Sequence, residues 1–435
     1  MHQHSRNLVH ASLILALGSW AAPAVAATRV VDQDGQATAS NCDAANGAFM
    51  SIGAAVAAAV GGDTIVICPG TAPYDEQVVI NKALTVKGFA KTSVVIRPTP
   101  MVANTTSLYS GGPIAAVVVV MDTTATLTNL VVDGGGADLG GSDCSAPNIV
   151  GIYYRNASGT INDSTARHLR LLPGLEGCQA GLGIFVQSGA GGTSTVTVDG
   201  VSVHNYQKNG IVANEEGTTV IVKNALVAGD GPTNGAVQNG IQFGFSATGT
   251  VTASRIIDQI YSPCTHPYVP GGGCDTGSSF GIIIFDAGNE NVKVNNNTIG
   301  NTQAGIYIGG GIIQAGTNGA EVLSNNVFAT HVFQGIVIIG DGNYVNNNTI
   351  TNSDGPAVFI SGNNNLVTAN RIQEAPLGIW NYSGTGNTYP VTGAGRNPVF
   401  NVDVATSGGS LLRVQSTATA QTTSTVSHTP APGRF

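Results

Sequence analysis

The sequence predicts an all-β solenoid, because a short apolar phrase and an Asn-rich phrase alternate between residues 281 and 381. The apolar phrase starts at Gly281, Gly305, Gly335, Pro356 and Gly378, and the Asn-rich phrase starts at Val294, Val322, Val345 and Val367. The repeat is about 21 to 30 residues long, and so short a unit buries its apolar face only by stacking on copies of itself. We therefore expect strands stacked coil upon coil, with Ile and Val inward and Thr and Asn outward.

Glycine and asparagine punctuate every repeat. Glycine before each strand allows a turn that a Cβ would obstruct. Asparagine tolerates left-handed bends, and its amide can bond to the asparagine of the next coil. We therefore predict asparagine side chains hydrogen-bonded from coil to coil.

This pattern resembles the right-handed parallel β-helix proteins, the superfamily of pectate lyases, polygalacturonases, pectin methylesterases and several alginate-acting enzymes. The resemblance covers roughly residues 51 to 405. It implies the fold class, a right-handed parallel β-helix. It does not select an activity, because the same solenoid carries many chemistries and some members have none.

The first residues have the features of a secretory leader. Arg6 precedes an apolar run from Ala11 to Trp20, and Ala24-Val25-Ala26 fits cleavage after Ala26. A transmembrane anchor is the alternative, for which the apolar run is too short. We predict a signal peptide over 1–26, a β-helix domain over 27–413 and a flexible Ser/Thr-rich tail over 414–435. The protein is expected to be secreted or periplasmic.

Charge is sparse throughout the chain. Charged residues make up 10% of the sequence, and 17 Lys and Arg against 25 Asp and Glu give a net charge of −8 with no basic run. Nucleic-acid binding is therefore not expected. No segment after the leader stays apolar long enough to span a bilayer, so we expect no membrane insertion, and we expect a monomer.

Six cysteines follow the leader, and an even number in an exported chain predicts disulfides. We prefer the pairs Cys42–Cys68, Cys144–Cys178 and Cys264–Cys274, because each closes a local loop. Metal binding is the alternative, which the absence of any Cys-x-x-Cys spacing disfavours.

A short helix is predicted at the start of the solenoid. Ser51 can cap it, Ile52 to Val60 is rich in alanine, and Gly61-Gly62 ends it. Its expected task is to cover the open first coil as a capping helix. The stretch that follows resembles the opening coil of secreted β-helix proteins, so we interpret Tyr74 and Glu76 as structural.

The loops at one corner of the solenoid predict a cleft. They run over Asp133 to Val150, Leu172 to Leu182, His204 to Asn209, Gly229 to Asn239 and Asp258 to Phe280. The third loop is short between long neighbours. We therefore expect a cleft with the third loop as its floor and the disulfide-linked loops as its walls.

Residues of this cleft can perform proton transfer. The candidate catalytic residues are His204, Tyr206 and Lys208 on the floor. The candidate substrate-binding residues are Arg167, His168, Arg170, Tyr261 and His266. In β-elimination a cation neutralises a uronate carboxylate while His, Tyr or Lys takes the neighbouring proton. The alternative is that these polar residues only decorate surface turns.

Other chemistries have weaker signals. Glu215 and Glu216 are adjacent, so they point to opposite sides of an extended chain and indicate a solvated turn rather than the paired carboxylates of a hydrolase. Asp133, Asp138 and Asp143 are candidate ligands of a calcium ion. The alternative is that they belong to a glycine-rich surface loop that binds no metal. No other cofactor is expected. The motifs of polygalacturonases, alginate epimerases and pectin methylesterases are missing, so no catalytic residue is carried over from them.

Two functions of different classes remain open. The first is an exported protein that acts on or binds polysaccharide, with lyase action on an acidic polysaccharide as the preferred activity. The second is a non-catalytic secreted or cell-envelope scaffold that binds glycans. Convergence of His204, Tyr206 and Lys208 on one cavity would favour the first.

Overall fold

The computed structural model describes residues 26–135, 139, 143–189, 191–261, 279–287, 292–310, 317–331 and 333–408, with side chains up to 402. Five of the predictions above fall outside these residues: most of the leader, Asp138, the Cys264–Cys274 pair, His266 and the tail.

The described residues form one helix and thirty-four strands. The helix is α1 (Ile52–Ala58). The first seventeen strands are β1 (Thr28–Val31), β2 (Thr64–Ile67), β3 (Val78–Ile80), β4 (Leu84–Gly88), β5 (Val94–Ile96), β6 (Thr105–Thr106), β7 (Pro113–Met121), β8 (Thr124–Thr128), β9 (Leu130–Asp133), β10 (Asn148–Arg155), β11 (Ser158–Asn162), β12 (Thr165–Leu169), β13 (Leu182–Gln187), β14 (Ser194–Asp199), β15 (Ser202–Tyr206), β16 (Asn209–Asn214) and β17 (Thr218–Lys223). The others are β18 (Leu226–Thr233), β19 (Asn239–Gly244), β20 (Thr248–Thr252), β21 (Arg255–Tyr261), β22 (Phe280–Phe285), β23 (Val292–Asn295), β24 (Thr298–Thr302), β25 (Ala304–Gly309), β26 (Glu321–Leu323), β27 (Asn326–Thr330), β28 (Ile336–Ile339), β29 (Tyr344–Asn346), β30 (Thr349–Ser353), β31 (Val358–Ser361), β32 (Leu366–Thr368), β33 (Arg371–Ser383) and β34 (Val399–Gly408).

The strands stack into three parallel faces, which the chain visits in turn. Face A is the sheet β1-β2-β4-β8-β11-β14-β17-β20-β23-β26-β29-β32. Face B stacks β5, β9, β12, β15, β18, β21, β24, β27, β30, the start of β33 and β34. Face C stacks β3, β7, β10, β13, β16, β19, β22, β25, β28, β31 and the end of β33. The chain is a right-handed parallel β-helix, as predicted.

The interior is built from one β-branched or small residue at the same place in each strand. On face B this inward row is Val132, Ala166, Val203, Val227, Ile256, Ile299, Val327, Ile350 and Ile372, all buried. Because side chains alternate along a strand, the residue after each of these faces outward. The expected inward position of Ile and Val is confirmed.

Asparagine side chains tie the rear coils together. The Nδ2 group of each donates to the Oδ1 atom of the next along Asn297, Asn325, Asn348, Asn370 and Asn397, over 2.8–3.0 Å. The same Oδ1 atoms accept the main-chain N–H groups of the preceding asparagines. The predicted asparagine bonds between coils are therefore present, but these asparagines are buried, so the expectation that Asn points outward is wrong for them. We call this row the asparagine ladder.

The N-terminal helix is held at both ends by side chains. Ser51 accepts from the N–H of Ala54, and the Glu76 carboxylate accepts from the first two N–H groups of α1, each over 2.7 Å. The Lys82 ammonium donates to three carbonyls at the other end. The Tyr74 hydroxyl donates to the carbonyl of Cys68 over 2.8 Å. These contacts agree with a structural role for Tyr74 and Glu76.

Two of the predicted disulfides form, Cys42–Cys68 and Cys144–Cys178. Disulfides persist in oxidising compartments, so both are consistent with an exported protein. The second joins the loop after β9 to the loop after β12, which belong to successive coils. No helix in the described part of the chain has the length and apolarity needed to cross a membrane.

Candidate functional site

A row of charged side chains runs along the outer surface of face B. The register of the strands places Arg97 beside Asp133, Asp133 beside Arg167, and Arg167 beside His204. Asp133, Arg167 and His204 directly follow members of the inward row, and Arg97 follows Ile96, which is buried and pairs with Val132 of that row, so each faces outward. Neighbouring strands lie about 4.8 Å apart, so these groups form one patch. We call Arg97, Asp133, Arg167, His168 and His204 the charged row.

Asp133 is the centre of the charged row, and its side chain is 0% exposed. One oxygen, Oδ2, accepts from Arg97 Nη2 over 2.6 Å and from Arg167 Nε over 2.8 Å. The other, Oδ1, accepts from the N–H of Gly135 over 2.8 Å and lies 3.0 Å from His168 Nδ1. Burial raises the pKa of Asp133, but these donors, Arg97 first, bring the pKa down to about 2. Asp133 is therefore ionised at neutral pH.

The ionised carboxylate fixes the tautomer of His168. A carboxylate only accepts hydrogen bonds, so His168 Nδ1 must carry a proton. In the neutral ring the lone pair is then on Nε2, which is free to accept a proton from a ligand. The His168 side chain is 40% exposed, so a ligand can reach it. Asp133 and His168 form an acid–imidazole pair at the protein surface.

His204 supplies a second imidazole on the other side of Arg167. Burial lowers the pKa of His204 below its usual 6.5, and the charges of Arg167 and His168 lower it further, against the opposing effect of Asp133. His204 is therefore neutral at pH 7. The charged row thus presents two guanidinium groups and two imidazoles around one buried carboxylate.

Tyr206 and Lys208, the other two candidate catalytic residues, are each 0% exposed. The Tyr206 hydroxyl accepts from Gln259 Nε2 over 3.1 Å, and burial raises the pKa of Tyr206. The Lys208 ammonium donates to the carbonyl of Val237 over 2.7 Å, and burial lowers the pKa of Lys208 to about 7. The structure does not bring these two groups onto the open surface that carries His204.

The cleft expected over the short third loop is closed by its long neighbours. Arg170, which lies just before the second loop, donates through Nε to Asn205 Oδ1 over 2.6 Å and pairs with Asp230 of the fourth loop. The N–H of Ala236 donates to the carbonyl of Glu176 over 2.5 Å. The two long loops therefore meet above the third. The space above the short third loop is filled because the second and fourth loops carry backbone and side-chain polar groups that form hydrogen bonds with each other.

The other predicted binding and metal residues are dispersed. Arg170 is committed to the contact between loops, and Tyr261 ends β21, where it packs against an aromatic cluster. His266 and Asp138 lie outside the described residues. The donors around Asp133 occupy both of its oxygens, so a calcium ion there would have to displace them.

Two hollows lie apart from the charged row, and none of the charged-row residues lines them. One, of about 470 Å³, continues face B beside Leu226 and Arg255. The other, of about 500 Å³, lies at the corner between faces C and A, beside Tyr109, Glu215 and Glu216. Glu215 has a φ of 77°, which agrees with the turn expected there. The surface from Arg97 to Arg255 spans six strands of face B, about 24 Å.

The folds of solved structures resemble this one. The periplasmic alginate epimerase AlgG aligns at 12% identity over 79% of this chain and 76% of its own, with a TM-score of 0.44. The pectate lyase Pel9A aligns at 15% identity over 88% of this chain and 78% of its own, with a TM-score of 0.40. An alginate lyase from Paenibacillus sp. str. FPU-7 aligns at 11% identity over 87% of this chain and 99% of its own, with a TM-score of 0.41. The likeness is one of fold. No protein-family profile and no curated protein sequence matches the chain.

Sequence reasoning missed Arg97 and missed the role of Asp133. Both directly follow an apolar stretch of strand, Val94-Val-Ile and Leu130-Val-Val respectively. Arg167 and His204 follow similar but less apolar stretches. A charged residue directly after the inward β-branched residue is the signal that could have identified the row.

Proposed function

We propose that the charged row binds the carboxylate groups of an acidic polysaccharide and promotes β-elimination of the chain. The observation that carries this proposal is the sharing of one buried carboxylate, Asp133, by Arg97, Arg167 and His168. Two arginines against one aspartate leave a net positive charge for a uronate. The oriented imidazole stands next to that charge.

The chemistry assigns one role to each side chain. Arg97 and Arg167 hold the uronate carboxylate and stabilise the negative charge that develops when the adjacent carbon loses its proton. His168 Nε2 takes that proton as general base. The C–H electron pair forms the new C=C bond, the glycosidic C–O bond breaks, and the departing oxygen takes a proton from water. Asp133 is a positioning residue that holds His168 and the arginines.

His204 is assigned a substrate contact rather than the proton transfer. Its ring is neutral at pH 7, so it can donate one hydrogen bond to a sugar hydroxyl and accept another. Among the residues that the structure describes, no carboxylate holds the His204 ring as Asp133 holds His168. Loss of His204 should therefore reduce activity much less than loss of His168.

The test is absorbance of unsaturated uronates during incubation with pectate, alginate and glycosaminoglycans, with and without calcium. We expect a rise with one polymer and a loss of about 10²- to 10⁴-fold in His168→Ala. For His204→Ala we expect an activity loss of only about tenfold. Lys293→Ala, which removes a cation from face A, is the control and should match the unmodified protein. A flat trace with every polymer would overturn the lyase mechanism.

A second candidate is a non-catalytic glycan-binding scaffold. It is favoured by the closure of the long loops over the third loop, which leaves a shallow surface where a deep cleft was expected. Polymer retention without any absorbance change or new reducing ends would establish it. Retention that is unchanged in an Arg97→Ala, Arg167→Ala double variant would remove the charged row from either function.

A further inference from the structure

We propose that Asp63 is a built receptor for the α-ammonium group that proteolytic removal of the leader creates at Ala27. The Ala27 nitrogen donates to Asp63 Oδ1 over 2.8 Å, and the Asp63 side chain is 0% exposed. Cleavage after Ala26 is the site that the sequence predicts from its small residues. The buried carboxylate therefore lies at the atom that becomes the new N-terminus.

The fold holds this nitrogen in place independently of what precedes it. Strand β1 starts at Thr28 and pairs in parallel with β2, with Thr28 opposite Thr64. The N–H of Thr64 donates to the carbonyl of Ala27 over 2.9 Å. Ala27 and Asp63 are thus the residues just before two paired strands, and the ladder fixes their contact.

The carboxylate already has two other donors. Its Oδ2 atom accepts from Arg29 Nε over 2.8 Å and from the N–H of Val60 over 3.0 Å. The backbone donors Val60 and Ala27 lower the pKa of Asp63, with Arg29 helping and burial opposing. Asp63 is therefore an anion at neutral pH, ready to pair with a cation.

Cleavage changes the chemistry at Ala27 without moving the chain. A leader peptidase adds water across the Ala26–Ala27 peptide bond, and the bond between the Ala26 carbonyl carbon and the Ala27 nitrogen breaks. Ala26 leaves with a carboxylate, and Ala27 keeps an amine that takes up a proton. One neutral N–H donor becomes an ammonium with three donors, and the hydrogen bond becomes a charge-assisted ion pair. Both Ala26 and Ala27 are exposed, so a protease can reach the bond.

The ion pair has a defined pH dependence. A neighbouring carboxylate raises the pKa of an α-ammonium above its ordinary value of about 7.7 to 8.0. A group whose pKa is raised on folding stabilises fully below the unfolded pKa and loses that contribution as pH rises through the folded pKa. The processed protein should therefore lose this stabilisation above about pH 8.

The experiment starts from the full chain, exported and processed by the producing cell. N-terminal sequencing should read Ala27-Thr-Arg, and a different start would overturn the proposal. Selective acetylation of the α-amine then restores an uncharged amide while keeping one N–H donor. At pH 6 we expect acetylation to raise the unfolding equilibrium constant about tenfold, with a smaller effect at each step above pH 8.

Asp63→Asn is the matched control, because it keeps an acceptor for Ala27 but removes the charge. Acetylation of this variant should leave its unfolding constant unchanged. If the variant does not fold, titration of the isotopically methylated α-amine in the unsubstituted protein replaces it. A pKa above 8 supports the ion pair, whereas an ordinary pKa or an acetylation effect independent of pH overturns it.

Discussion

The front and rear of face B use the same outward position for different purposes. In the front coils this position is occupied by Arg97, Asp133, Arg167 and His204, whereas in the rear coils it is occupied by Ile257, Gly300, Phe328, Thr351 and Gln373. The inward row beneath is apolar in both halves. The fold therefore does not require charge at every outward position, and the partly exposed side chains of Arg97, Arg167 and His168 in front can contact a ligand.

The two halves also join their coils differently. One buried position is in register with Leu130, the first residue of β9. In the next front coils it is occupied by Ser164, Val201, Ala225 and Ser254, each just before its face B strand, and in the rear by the asparagine ladder. The front coils are linked instead by the Asp133 ion pairs and the Cys144–Cys178 disulfide. Rear coils that are joined by hydrogen bonds between asparagine side chains need no charged groups to hold them together. In the front coils, the ion pairs of the charged row also hold successive coils together.

Among the variants that compare the two halves, the largest effect should come from removing the outward side chain at matched positions of front and rear. Arg167→Ala is expected to lower turnover of the acidic polymer about 10²- to 10³-fold, because it removes a cation aimed at the developing charge. Thr351→Ala changes the same row in the rear and should have no effect on turnover. Arg167→Lys should recover part of the loss, since it keeps the charge but not the planar fork. Initial rates of absorbance change measure all three.

Equal loss in the front and rear variants would contradict the assignment of the charged row. Unfolding curves of each variant are needed beside the rates. They show whether a loss reflects the site or the fold.

The next effect concerns cohesion of the rear half. Asn348→Ala removes four side-chain hydrogen bonds at a buried position and should lower the free energy of unfolding by about 3 kcal/mol. Asn347→Gly is the control, because Asn347 is exposed and has a φ of 57°, which glycine adopts without strain. Denaturant unfolding compares them. Similar values for the two would mean that the ladder adds little cohesion.

The smallest effect is a pH dependence confined to the front half. The folded pKa of Asp133 is about 2, below its ordinary 3.8, so its stabilisation is complete above pH 4 and is lost as pH falls toward 2. The loss should be about 2 kcal/mol. Unfolding of the unmodified protein and of Asp133→Asn between pH 5 and pH 2 isolates it.

Hydrogen exchange gives the location of this pH effect. Amides of β9 and β12 should lose protection in acid before those of β30. Uniform loss along the solenoid would show that Asp133 does not control the front coils.

The repeat made the fold predictable, and a single bend made the site hard to predict. Ile and Val of the repeats mark the inward row, and the asparagines mark the ladder, because each coil repeats the same local requirement. In an uninterrupted strand His204, Tyr206 and Lys208 would share one face. Asn205, with a φ of 54°, turns the chain between them, so Tyr206 enters the core while His204 stays outside.

Partners from different coils were also beyond the reach of local patterns. Arg97 and Asp133 are 36 residues apart, and only the register of β5 and β9 brings them together. Local sequence patterns therefore group Asp133 with its sequence neighbours Asp138 and Asp143, as a calcium ligand, rather than with its arginines. His168 was found among the binding candidates, but its link to Asp133 depends on the same register.

The asparagine ladder gives the rear of the molecule a direction of mechanical resistance. The hydrogen bonds between its asparagine side chains run along the solenoid axis. Tension along that axis therefore acts on the hydrogen bonds between one coil and the next. Each coil that peels away releases one repeat, 22 residues between Asn348 and Asn370. That is about 75 Å of extended chain. A pull applied along the strands must instead shear several bonds at once, so the same coils are stiffer across the axis than along it.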